Sequence, residues 1–290
     1  MPENPADSTD EFDSSVEIET HWAFGDLVAR VEAAAIDAPI PADVDPARLA
    51  EYCLMLGDDA LIFSHRLQEW CGRAPQMEDE MALANFGLDL IGQARLLLAR
   101  AGQADGTGRD EDELAFFRPE HEFRNVRLTE LGGGHFGHLI ARLLVFSTWR
   151  LALLNKLTTH ADPVLAAVAR KGVKEVAYHR DYAAAWTVRL GDGTELSHAR
   201  MREGLDDVWP FVGELFRTHQ SELIDPASVR AEFDDVIDQV LRAATLERPT
   251  AKELPGVSGK TGRDGVHTEQ LGYVLAVLQS VARTHPGARW

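Results

Sequence analysis

The chain has 290 residues, 45% of them hydrophobic and 26% charged, with a formal net charge of −18. That length allows one large helical domain or two ordinary ones with a substantial core. The acidity excludes a sequence-independent grip on nucleic acid, which needs Lys and Arg massed against phosphates, and no run of about 18 uncharged apolar residues offers a membrane span.

Residues 1–17 (MPENPADSTDEFDSSVE) have the low hydrophobicity and high charge of a disordered tail. They lack the apolar stretch of a secretory signal. Ile18–Ala35 is amphipathic, with Trp22, Leu27, Val28 and Val31 at helical spacing, and Pro39–Pro46 (PIPADVDP) then breaks the chain. Residues 1–45 therefore read as an acidic extension and 46–290 as a helical domain. Only five lysines (Lys156, Lys171, Lys174, Lys252, Lys260) stand among the 29 basic residues. The excess acid fits a solvated surface, with a salt-rich cytoplasm or a basic partner as alternatives.

Asp45 before Pro46 is an N-cap with proline in the first helical turn, and Gly72 is a plausible stop, which predicts a first long helix. A second begins after Pro75, with Glu78, Asp79 and Glu80 where the helix dipole favours anions, and ends at Gly102. A Gly- and Asp-rich linker and the glycine turn Gly132–Gly134 lead to a third long helix, His135–Thr159. Asp162-Pro163 caps a fourth, ending near Gly191. A helix over Glu195–His219 should kink at Pro210, Asp225-Pro226 starts another, and the last covers Val266–Thr284. Strand patterns are nearly absent, so the class is all-α: a four-helix bundle with additional C-terminal helices.

Long four-helix bundles can hold a carboxylate-bridged di-iron centre, built from one carboxylate on each of two helices and a Glu-x-x-His pair on each of the others. Fragments of that set are present. Asp59 and Asp89 lie on the first two helices, where an antiparallel hairpin could bring them level. Glu175 and His179 share one face of the fourth helix, close enough to chelate, although a hydrogen-bonded pair inside a bundle is the blander reading. The rest is missing. The third helix, His135–His160, has no Asp or Glu, and Val145–Thr148 occupy the stretch where one would fall. The second helix has no His, and Asp89 is followed by Gly92 and Gln93. The sequence thus predicts no metal ligands, no catalytic residues and no cofactor-binding residues in this chain.

Other chemistry is equally thin. Gly256–Lys260 followed by Thr261 looks superficially like a phosphate loop but lacks the first glycine and a preceding strand, so a flexible loop is expected. Cys53 and Cys71 fall on one predicted helix about 27 Å apart by helical rise, too far to bridge. Both fit a reduced cytoplasmic setting, with Cys71 expected as a small buried residue.

The block LGDDALIFSHRLQEWCGRAPQMEDEMALANFGLDLIGQARLLLARAG (Leu56–Gly102) carries a resemblance. So do DELAFFRPEHEFRNVRLTELGGGHF, KEVAYHRDYAAAWTVRLGDGTELS and GVHTEQLGYVLAVLQSVARTHPGARW, which follow in order to Trp290. From Pro46 onward the chain resembles the C-subunit family of phenylacetyl-CoA 1,2-epoxidases, multicomponent bacterial oxygenases of aerobic phenylacetate catabolism; the first 45 residues have no counterpart. The resemblance implies a ferritin-like structural subunit without iron, paired with a homologous di-iron subunit that inserts one oxygen of O₂ into the ring of phenylacetyl-CoA. It also implies small accessory subunits and a reductase carrying FAD, an iron–sulfur cluster and NADPH, with no nucleic acid or membrane partner. Trp70, Trp149, Trp186 and Trp209 are candidates for core or for the subunit interface, core being expected for each. The rival readings are a self-sufficient di-iron oxidoreductase or iron-storage protein, and an independent helical scaffold.

Overall fold

A computed structural model describes residues 38–288. The expected amphipathic stretch Ile18–Ala35, the acidic tail before it and Trp290 lie outside the described residues. Four long helices carry the fold: α1 (Pro46–Gln68), α2 (Met77–Ala104), α4 (Phe136–Leu157) and α5 (Pro163–Gly191), with the short α3 (Glu111–Phe116) between α2 and α4. The caps act as the sequence requires. Asp45 Oδ1 accepts from Ala47 N at 3.0 Å, and Asp162 Oδ1 from Leu165 N at 2.9 Å. The short connection after α1 makes α1 and α2 an antiparallel pair, as Asp162-Pro163 does for α4 and α5, and α2 also packs on α5. Between α1 and α4 long side chains make the contact, Phe63 lying 4.4 Å from Phe146. This is an all-α, ferritin-like bundle, and no β-strand occurs among the described residues.

By length and composition α2 and α4 would both serve as membrane spans, against the simpler count of uncharged residues above. The apolar window of α4 is 100% buried within the protein itself, and that of α2 is half buried. Helix α4 is apolar because the other helices surround it.

Beyond the bundle follow α6 (Glu195–Val208), α7 (Arg230–Ala243), α8 (Glu269–Leu278) and α9 (Ser280–Thr284). Here the structure corrects the sequence reading. Pro210 does not kink a helix running to His219: α6 stops at Val208 and Trp209–Phe216 continues as 3-10 helix. The proline has no N–H to give, and its ring crowds the preceding turn, so the chain changes helix type there. Asp225-Pro226 likewise opens a 3-10 turn, Pro226–Val229, that runs into α7. Thr268 rather than Val266 begins the last helical region, which is interrupted at Gln279. Trp70, Trp149 and Trp209 are core residues, while Trp186 is only partly buried against them.

Buried charge ties α1, the segment before α4 and the C-terminal elements together. Adjacent Asp58 and Asp59 are both fully buried. Asp58 Oδ2 accepts from Arg118 Nη1 at 3.0 Å and from the Arg124 amide at 2.8 Å. Asp59 pairs with Arg263 (Nη2–Oδ2 2.8 Å) and accepts from the Val126 amide. Glu130, also fully buried, accepts from Asn125 and from both donors of Thr268, and lies 2.7 Å from His267 Nδ1. Breaking a buried pair strands the other charge, at a cost of about 3–5 kcal/mol. Asp59→Ala should therefore lower the unfolding free energy by about that amount, read as an earlier urea midpoint with unchanged slope.

Candidate functional site

In a bundle of this class the place to look is the centre, where the four long helices face one another. The group that holds it is Arg150 of α4, fully buried. Its Nε and Nη2 donate to Gln93 Oε1 of α2 at 3.0 and 2.9 Å, and Nη1 and Nη2 reach the Leu56 carbonyl of α1 at 3.3 Å. Gln93 turns its other end toward α5, Nε2 donating to Glu175 Oε2 at 2.9 Å. One guanidinium and one amide thus link all four helices. Burial pulls the Arg150 pKa down to about 10 against the attraction of Asp59, which leaves the side chain cationic at neutral pH.

One turn along, Asp89 Oδ2 of α2 meets His179 Nε2 of α5 at 3.0 Å. Asp89 and Gln93 are four residues apart on α2, as are Glu175 and His179 on α5, so the antiparallel pair forms two rungs: Asp89–His179 and Gln93–Glu175. The ring of His179 also packs on Phe86 at 4.3 Å. Close helix approach is secured by Gly172, where a Cβ would come within 2.9 Å of Leu154 and 3.3 Å of Gln93.

Of the four carboxylate and imidazole groups singled out in the sequence, Asp89 and His179 meet at 3.0 Å, and the four do not converge on one site. Glu175 and His179 share a face as expected, yet each hydrogen-bonds across to α2 and not to its neighbour. Asp59 is turned to Arg263 and the Val126 amide, where burial holds its carboxyl above the ordinary carboxylate value despite the guanidinium. Val145–Thr148 are packed in the core, and Gly92 lies beside Lys171. Among the described residues no group of three or more His, Cys, Asp and Glu is arranged to hold a metal ion. A carboxylate-bridged pair of cations does not fit this donor set, because a hydrogen-bonded guanidinium already occupies the space between α1, α2 and α4.

Sequence reasoning missed Arg150, Asp58, Arg263 and His267. The signal for Arg150 was present: an arginine in the middle of the mostly apolar third long helix, a place where charge is rarely buried without a partner. Cys71 was misjudged. Helix α1 ends at Gln68, so Cys71 falls in the following turn and is exposed, while Cys53 is buried as a core residue. Gly256–Thr261 is a tight turn closed by the Val257–Lys260 bridge, with Ser258 and Gly259 at positive φ and no preceding strand.

Comparison with known proteins gives two matches. The family model described as phenylacetic acid catabolic protein matches residues 36–290. The C-subunit of the 1,2-phenylacetyl-CoA epoxidase of Escherichia coli (strain K12) is 40% identical over 251 residues, 84% of this chain and 99% of that relative.

Two outcomes test the centre. Arg150→Leu leaves the Gln93 oxygen buried without its donor and should cost about 1–3 kcal/mol; Arg150→Met with Gln93→Leu should recover part of that loss in chemical denaturation. For His179, burial lowers the pKa below 6.5, with Asp89 opposing. The unfolded chain then binds more protons, so stability is lost as pH falls through about 6.5. Compared with wild type, His179→Gln should lose less stability between about pH 7.5 and pH 5.5. The slope should shrink without vanishing, since burial also lowers His65, His138 and His160.

Proposed function

The chain belongs to the phenylacetic acid catabolic protein family, and from that premise we propose that it is the structural, non-catalytic subunit of a phenylacetyl-CoA epoxidase. On this reading it binds no iron. It pairs with a homologous subunit that holds the di-iron centre and carries out the ring oxidation, while a reductase with FAD, an iron–sulfur cluster and NADPH supplies electrons. The assembly is cytoplasmic.

The observation that carries the proposal is the Arg150 guanidinium between α1, α2 and α4. A di-iron bundle needs carboxylates there to bridge and neutralise two cations. Here the positive charge is built into the chain and is satisfied by an amide and a backbone carbonyl. The relative's name adds that a protein 40% identical to this chain serves as one subunit of an epoxidase.

A bundle whose own centre is filled is rigid, and that suits a support. The partner must open to admit a large thioester and loses packing contacts in doing so; a homologous bundle alongside can replace them. Interfaces of that kind bury well over about 2,000 Å² and are apolar. Met77, Met81 and Leu88 on α2 and Tyr178 on α5 are large apolar side chains left more than 60% exposed, and they supply such a face.

Two measurements decide the matter. Iron analysis of the purified chain should give less than a tenth of the roughly two ions per chain that a di-iron protein holds; a value near two establishes the self-sufficient enzyme instead. Co-expressed with the oxygenase genes, the chain should co-purify with the di-iron subunit at low and moderate salt. Elution alone under both conditions would leave an independent scaffold as the better reading.

A further inference from the structure

A second arginine of α4 is buried without the answering groups that Arg150 has. Arg142 is 1% exposed, and its Nε and Nη1 have no hydrogen-bond partner among the described residues. Burial lowers its pKa to about 9, with the neighbouring guanidinium of Arg66 next in effect, so it still carries its charge at neutral pH.

The acid that could compensate it is engaged elsewhere. Glu69 attracts Arg142, but its Oε1 is held at 2.6 Å by Arg66 Nη1. Arg66 is further tied to the Glu130 carbonyl at 2.8 Å and the Gln270 carbonyl at 3.1 Å. Arg73 adds a third guanidinium, stacked 4.8 Å over Trp70. His138, one turn before Arg142, lies against the backbone of Gly133, and it faces Arg142 and His135 as well as Asp207. Above them lies the turn Gly132–Gly134: a Cβ on Gly132 would meet Arg66 at 2.5 Å, and one on Gly134 would meet His138 at 2.5 Å. These glycines let the backbone lie directly on the basic cluster, near the N-terminal end of α4, whose dipole adds positive potential.

We infer that Arg142, with Arg66 and Arg73 beside it and the glycine turn above, forms an anion site that takes an oxyanion of the phosphate or carboxylate type. A buried guanidinium with two unused donors is costly to the folded chain. An oxyanion offers the acceptors and the charge that Glu69 does not bring.

The test uses the full chain, with inorganic phosphate and acetate as probes and ionic strength held constant with sodium chloride. Phosphate, acetate or both should raise the melting temperature in a saturable way beyond the chloride control. The more effective probe identifies the type of oxyanion. Arg142→Met should remove the saturable part, raising the apparent dissociation constant about tenfold or more. It should leave the general salt response unchanged. Should that variant fail to fold, Arg73→Gln at the exposed edge should weaken binding severalfold while the melting temperature in chloride alone stays the same. Equal shifts for phosphate, acetate and chloride, or undiminished binding in both variants, would overturn the site.

Discussion

A charge at the centre of four helices has to be answered from the helices around it. Arg150 sets that condition here, and the surrounding residues read as its consequences. Gln93 turns its oxygen to the guanidinium and its nitrogen to Glu175. Leu56 lends a backbone carbonyl at 3.3 Å, and Gly172 lets α5 close on the amide. Each partner is fixed by the one before it, so the centre is a chain of dependencies with a single cation at its head. Such a network is strong when every member is satisfied and fragile when one is lost. Around Arg150 itself, the acceptors are an amide and a backbone carbonyl, and no carboxylate of α4 is among them.

The fold class and the four long helices were legible in the sequence, because caps and proline positions act locally: Asp45 and Asp162 do in the structure what their place before proline requires. The limits of the smaller helices were less legible. Pro210 announces a disturbance, but whether the chain kinks or changes to 3-10 helix depends on packing against the body. The residue types at Glu175 and His179 suggested hydrogen bonds, and each makes one, to Gln93 and Asp89 of α2. What could not be read is who pairs with whom. The Asp59–Arg263 and Glu130–His267 pairs join segments with no shared period or motif, and a carboxylate looks the same in sequence whether it faces a metal, an arginine or water.

The same distinction separates the two aspartates of LGDD from the ligand role that a bundle of this class suggests. Asp58 and Asp59 are buried as completely as metal ligands would be, yet their partners are Arg118, Arg263 and backbone amides of the segment before α4. Carboxylates that elsewhere neutralise ions here fasten loops. The segments between the helices are therefore more than ornaments on the bundle, since the charges of α1 are satisfied by what they bring.

Asp59 and Arg263 are 204 positions apart. During synthesis α1 and α2 leave the ribosome long before Arg263 exists, and at about 5–20 residues per second the wait is on the order of ten seconds or more. Throughout that interval the nascent hairpin holds an aspartate that cannot be buried without loss, so its apolar face cannot close fully around it. The chain is thereby timed: the first of the long helices to emerge is among the last to be sealed, and the seal is delivered by the segment around Arg263. A chain that ends short of that residue lacks the guanidinium that answers Asp59 on α1.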